Sequence, residues 1–99
     1  MPCTTHYHRC FLSYSGTGLP LNLVGEIELA ETENRNTYFG AQYDDQAREL
    51  LIHKVVYGEV ELEHRYQYYD NGALQCAVII NIDGEEQRLE FDRQGLRQF

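Results

Sequence analysis

The stretch Glu59–Ile80, EVELEHRYQYYDNGALQCAVII, decides how the chain folds. In its first half Val60, Leu62, His64, Tyr66 and Tyr68 alternate with Glu59, Glu61, Glu63, Arg65 and Gln67. A period of two puts one set on each side of an extended chain, so this is a strand with one buried face. Asp70-Asn71-Gly72 interrupts the alternation, and a second extended run, Leu74–Ile80, follows. Gly72 can take the left-handed conformation that closes a type I turn with a bulge. That turn sets Tyr69 opposite Ala73 and yields the pairs Tyr68–Leu74, Tyr66–Cys76, His64–Val78, Leu62–Ile80 and Val60–Ile82. A two-residue loop at Asn71-Gly72 would instead set Arg65 against Val78 and Glu63 against Ile80. A slip of one residue moves a whole hydrophobic set to the other face, so the bulged register is the expected one.

The neighbouring turns extend the pattern. A tight turn at Tyr57-Gly58 pairs Val55 with Val60, His53 with Leu62 and Leu51 with His64. A two-residue turn at Asp83-Gly84 pairs Val78 with Leu89 and Cys76 with Phe91. All these residues fall on one face, and turns that agree with one another mark a foldable sequence. Upstream, Arg9–Ser15 and Leu19–Val24 read as a hairpin around Gly16-Thr17-Gly18, which lacks the Lys and helix start of a phosphate loop. Glu28–Arg35 is rich in helix formers and makes one or two helical turns or a loop. The expected fold is mostly β: an antiparallel β-meander of six to eight strands with at most one short helix. It forms one domain over residues 1–99, with an irregular N-terminal segment (1–36) and the meander proper (37–99).

Three short motifs recur in that second part: YDDQARE from Tyr43, YDNGALQ from Tyr69 and FDRQGLR from Phe91. Each is an aromatic-Asp turn that opens a strand. Residues 37–99 thereby resemble the tyrosine-aspartate (YD) repeats and MORN-variant repeats of bacterial proteins, in which an aromatic-Asp-x-x-Gly-Leu turn joins the strands of each unit. The first copy departs from the pattern, with Gln46 where it has Gly. Together with FLSYSGTGLPL (Phe11–Leu21), the whole chain resembles a small bacterial protein family with no assigned function. The resemblance implies a β-meander and no chemistry.

Composition narrows the partners. Sixteen acidic residues against eight basic ones give a net charge of −8. Phosphate backbones are read by clustered Lys and Arg, so no nucleic acid partner is expected. A basic protein surface suits the charge better. No apolar run of about 18 residues is present, so no membrane helix is expected. No apolar segment follows basic residues at the start, so no secretory leader is expected. Three cysteines are an odd number, and reduced thiols in a cytoplasm are the simpler reading.

Candidate chemistry lies in two places. In Cys3–Cys10 (CTTHYHRC), His6, His8 and Cys10 share a strand face and could ligate zinc with Cys3. No second ligand pair follows, and the parity of Cys10 continues into Leu12 and Tyr14, so an ordinary strand start is expected, with no metal and no cofactor. His53 and His64, on adjacent strands one diagonal step apart, with Tyr66 beside them, form a candidate ligand-binding or proton-transfer set. The plainer reading is two core-edge histidines bonded to tyrosine hydroxyls. No nucleophile motif marks Cys10, Cys76, Ser13 or Ser15, so no catalytic residue is assigned.

Leu50, Ile52 and Val56, with Ile79, form an apolar set on the second face that something must cover. With Tyr38 and Tyr69 they are the candidate interface, facing a protein partner or a second copy. The function expected is a non-enzymatic protein-interaction module. The alternatives are an acidic inhibitor, immunity or antitoxin-like protein binding a basic target, and a small enzyme or ligand binder using His53 and His64. Elemental analysis of purified protein should find no stoichiometric zinc; about one zinc per chain, lost on replacing His6 and His8 by Ala, would overturn the strand reading.

Overall fold

The computed structural model describes residues 7–16, 18–94 and 97–98. They form a single eight-stranded antiparallel sheet. Its strands are β1 (Arg9–Ser15), β2 (Asn22–Ile27), β3 (Thr37–Tyr43), β4 (Glu49–Val56), β5 (Glu59–Tyr68), β6 (Leu74–Asn81), β7 (Glu86–Phe91) and the two-residue β8 (Arg97–Gln98). A 3-10 turn at Leu29–Asn34 falls in the helix-rich segment. No helix among the described residues is long and apolar enough to cross a membrane. From β3 onward each strand pairs with the next, so the expected meander forms. The N-terminal hairpin departs from it: β1 lies between β2 and β3, with Cys10 opposite both Ile27 and Gly40. The chain leaves β2, passes through the 3-10 turn and enters β3 on the far side of β1. The sheet edges are therefore β2 and β8.

The expected registers hold next to the turns and fail beyond them. Tyr68 opposes Leu74, and Val55 opposes Val60. Past those pairs the ladder shifts: Gln67 meets Cys76 and Tyr66 meets Ala77, while His53 meets Glu63 and Ile52 meets His64. One residue is left over each time, Gln75 in β6 and Glu61 in β5, and Leu50 in β4 plays the same part against β3. These are β-bulges, which re-aim every side chain beyond them. The body of β5–β6 thus adopts the rejected pairing of Arg65 with Val78 and Glu63 with Ile80. Hydrophobic matching alone had favoured Cys76 opposite Tyr66. Size explains the choice made: Ala77, fully buried, leaves room for the large Tyr66 ring. At Glu61 the shift gives buried His53 a carboxylate neighbour in place of Leu62.

Three turns share one hydrogen-bond pattern. The carbonyls of Asp44, Tyr69 and Asn81 accept from the N–H groups of Ala47, Gly72 and Gly84 at 3.0 Å, and their own N–H groups donate to Arg48, Ala73 and Glu85 at 2.8–3.0 Å. Ala47, Gly72 and Gly84 have φ of 63°, 89° and 83°. Each is a type I turn closed by a left-handed residue, as expected at Gly72. The Asn81 turn is longer than the two-residue loop expected at Asp83-Gly84, so Leu89 faces Ala77 rather than Val78, and Cys76 faces Glu90 rather than Phe91. The turn begins at Asp44 in the first YD motif but at the aromatic Tyr69 in the second. The two copies are out of structural register by one residue, and the repeat resemblance is not supported.

The core occupies one face, called inner here. Phe11, Phe39, Ala41, Ile52, Tyr66 and Ala77 are buried on it, with Leu74, Leu89 and Phe91 packed around. The β1–β2 loop folds over this face and inserts Leu21. Ile52 and Ile79 flank His64 across the ladder, so both belong to the inner face, and Ile52 is 1% exposed. Val56 is half-buried, and Leu50 stands out at its bulge, 40% exposed. The apolar set expected on the second face therefore does not exist as one patch, because the bulges divide it.

Gly72→Ala should destabilise the protein by roughly 1 kcal/mol, since a Cβ is penalised in the left-handed region. Ala47→Gly should stabilise it by up to about 1 kcal/mol for the same reason, less the entropy that glycine loses. Urea denaturation of both variants checks the pair, and equal signs would refute the shared turn geometry.

Candidate functional site

The two histidines of the candidate ligand-binding set lie on opposite faces. Ile52 opposes His64, so His53, the next residue of β4, points outward. The bulge at Glu61 is the cause. Each ring is 5% exposed and each has its own hydrogen-bonded chain.

On the outer face, Tyr7 crosses the sheet just before β1. Its seat is Gly40, where a Cβ would lie 2.4 Å from the Tyr7 ring. The Tyr7 hydroxyl donates to His53 Nδ1 at 2.8 Å, and His53 Nε2–H donates to Glu63 Oε1 at 3.0 Å. This tautomer follows from the ionised carboxylate, which can only accept. The other oxygen of Glu63 pairs with the Arg65 guanidinium. Tyr7 meets the rings of His53 and Tyr38 edge-on, at 5.6 and 6.3 Å. A carboxylate, an imidazole and a phenol in series can hold a proton between Tyr7 and Glu63. Here they pin the N-terminal segment to the sheet.

On the inner face, the Tyr66 hydroxyl donates to His64 Nδ1 at 2.7 Å and accepts from the Leu21 N–H at 3.3 Å. Burial pushes the Tyr66 phenol above its ordinary range and His64 below its own. His64 and Tyr66 are thus brought together as expected, but to hold the Leu21 loop down, and His53 is not with them. Sequence reasoning missed Tyr7, Glu63 and Gly40. The available signal was Gly40 inside the run TYFGAQY, since glycine within a strand often marks the close approach of another group.

The N-terminal cluster is dispersed. His8 is exposed, and its Nδ1 accepts from the Tyr43 N–H at 3.0 Å. Cys10 is buried, and burial raises its thiol pKa. His6 and Cys3 lie outside the described residues. Among the described residues no three His, Cys, Asp or Glu side chains are grouped to hold a metal. Of the interface candidates, Tyr38 and Tyr69 are half-buried, and Tyr69 donates its hydroxyl proton to the Phe91 carbonyl at 2.7 Å.

A different surface is exposed at the end of the sheet where β4 turns into β5. Tyr57 and Gly58 have φ of 50° and 80°, the two positive values of a type I′ turn. Tyr57 is 75% exposed. Val60 is the second residue of β5, and Ile82 lies in the turn after Asn81, which pairs with Leu62, so both sit at the same end. Ile82 is 63% exposed. Glu59 and Asp83 are exposed next to Val60 and Ile82 in the chain, Glu86 is exposed on β7 opposite Ile80, and none of the three takes part in a salt bridge among the described residues. The ion pairs Arg48–Asp44 and Arg93–Asp70 lie at the opposite end, and Arg9–Glu26 joins β1 to β2.

Tyr66→Phe should cost roughly 2–4 kcal/mol, because it strips partners from two groups at once, the Leu21 N–H and His64 Nδ1. His64 binds its proton less readily folded than unfolded. Its contribution to stability is therefore complete above about pH 6.5 and falls as pH drops toward the lower folded value. Urea midpoints between pH 7.5 and 5.5 should decline more steeply in the wild type than in His64→Gln. Gly40→Ala should expel the Tyr7 ring and cost about 1–3 kcal/mol; an unchanged Tyr7 environment by NMR would contradict the seat.

Neither the curated proteins nor the solved structures contain a match to this chain. A family of unknown function (DUF6156) matches residues 3–98 as one unit. The chain therefore belongs to that family.

Proposed function

We propose that this chain is a non-enzymatic protein-interaction module whose binding surface is the sheet end that carries Tyr57. One observation carries the reading. Tyr57 holds a left-handed backbone conformation and is 75% exposed. A residue with a Cβ loses roughly 1–2 kcal/mol there relative to glycine, and burial of this ring returns little. Asn, Asp or Gly would suit a type I′ turn better. A strained, solvated tyrosine is what a binding surface uses, because the ring brings large contact area at low entropy.

The partner is another protein rather than a second copy, since two chains of net charge −8 repel each other. The acidic inhibitor, immunity or antitoxin-like reading uses this same surface and is favoured by Glu59, Asp83 and Glu86 around Tyr57. The enzyme reading needed His53 and His64 in one cleft, and opposite faces remove its basis. The two buried free thiols, Cys10 and Cys76, suit a reducing bacterial cytoplasm.

Tyr57→Asn should raise stability by roughly 0.5–1 kcal/mol, since Asn tolerates the left-handed region. A photo-crosslinking amino acid at position 57, expressed in the native host, should trap one defined protein, while the same group at Leu50 should not. A protein that becomes more stable on Tyr57→Asn but traps nothing at position 57 would end this reading. Light scattering that gives a dimer at moderate salt would replace the partner with a second copy.

A further inference from the structure

We infer that the surface around Tyr57 recognises a partner presenting lysine or arginine side chains around a small apolar patch. This rests on the proposed role of that surface and names the chemistry of its partner. The argument is one of arrangement. Tyr57, Val60 and Ile82 supply exposed apolar area at one end of the sheet, at 75%, 36% and 63% exposure. An apolar centre with a charged rim is the usual anatomy of a protein interface. Here the rim is mainly acidic. Glu59 and Asp83 stand exposed next to Val60 and Ile82 in the chain, and Glu86 stands exposed on β7 opposite Ile80. No described arginine or lysine forms a salt bridge with the three, although Arg88 lies within electrostatic reach of Glu86. Glu85 is exposed beside them and accepts from Asn81 Nδ2 at 2.9 Å.

Most of the protein's cations are used elsewhere. Arg48 and Arg93 neutralise Asp44 and Asp70 at the far end, Arg9 pairs with Glu26 on the outlying strands, and Arg65 and Arg88 pair with Glu63 and Glu90. Among the described residues, the cations nearest Tyr57 are Arg35, next to the Asn36 whose carbonyl accepts the Tyr57 N–H, and Lys54, half-buried opposite Leu62. The molecule is therefore polarised, with Glu59 and Asp83, which no described cation pairs, next to its most exposed apolar side chains. Complementary charge steers encounter and suppresses wrong partners, while the apolar centre holds the complex.

The test uses hexalysine and the intact chain, followed by amide NMR. Expected are saturable shifts at Glu59–Glu61 and Ile82–Glu86. The dissociation constant should weaken at least tenfold between low and moderate salt, and at least tenfold in a Glu59→Gln/Asp83→Asn/Glu86→Gln variant. Shifts spread equally over the Asp44 and Asp70 turns, no shifts, or full binding by the neutralised variant would each overturn the inference. None of these touches the crosslinking test at position 57. Conversely, localised hexalysine shifts with no crosslinked partner would sink the interaction reading while leaving the charge assignment standing.

Discussion

In each of the three central hairpins one strand carries one residue more than its partner. Side chains of a strand alternate strictly, so an inserted residue reverses the alternation for everything beyond it. Were Glu61 paired in the ladder, His53 would face Leu62 rather than Glu63. Were Gln75 paired, Tyr66 would face Cys76 rather than Ala77. Were Leu50 paired, Tyr43 opposite Glu49 would put Ala41 opposite Leu51 rather than Ile52. The bulges decide which histidine is inside, and so whether the chain could carry a paired-histidine site at all.

A curved sheet has two faces to protect from water, and here the N-terminal hairpin serves both. Leu21 reaches the inner face and Tyr7 the outer, and each ends in a hydrogen bond to a buried side chain of the central strands. Every buried polar side-chain atom among the described residues finds a partner. That suits histidines used as structural acceptors, since an unsatisfied buried group is costly. The far end of the sheet is tied down by other means: Arg48 lies over the Tyr68 ring and Arg93 over Tyr69, each 4.8–4.9 Å from the ring centre. Among the described residues no cation lies over the Tyr57 ring.

Strands, turn positions and the short helical segment were legible because period-two alternation and Gly-containing turns act over a few residues. The bulges were not, because a bulge is settled by volumes across the ladder. Tyr66 against Ala77 is a fit of large to small, and hydrophobic matching treats Ala, Cys and Val alike. The Tyr66–His64 contact was legible in outline, as a histidine bonded to a tyrosine hydroxyl. Tyr7 over Gly40 was not, since it joins residues whose proximity depends on β1 inserting between β2 and β3. Tyr57 was visible as part of a tight turn. Its significance needed two quantities a sequence does not state, its backbone angle and its exposure.

The placement of β1 also sets an order of assembly. From β3 to β7 every pairing joins consecutive strands, so those hairpins close over short loops and can zip in turn. The N-terminal hairpin closes just as locally, yet its docking sites are distant: Leu21 and Tyr66 are 45 residues apart, Tyr7 and His53 are 46. Loop-closure entropy grows slowly with length, but it is lost before the contacts repay it. During synthesis β1 can pair with β3 as soon as β3 emerges, but Tyr7 waits for β4 and Leu21 for β5. Leu21 stays in water throughout that interval, which makes the loop most needed to seal the finished sheet the one most open to chaperones and to aggregation while the sheet is incomplete.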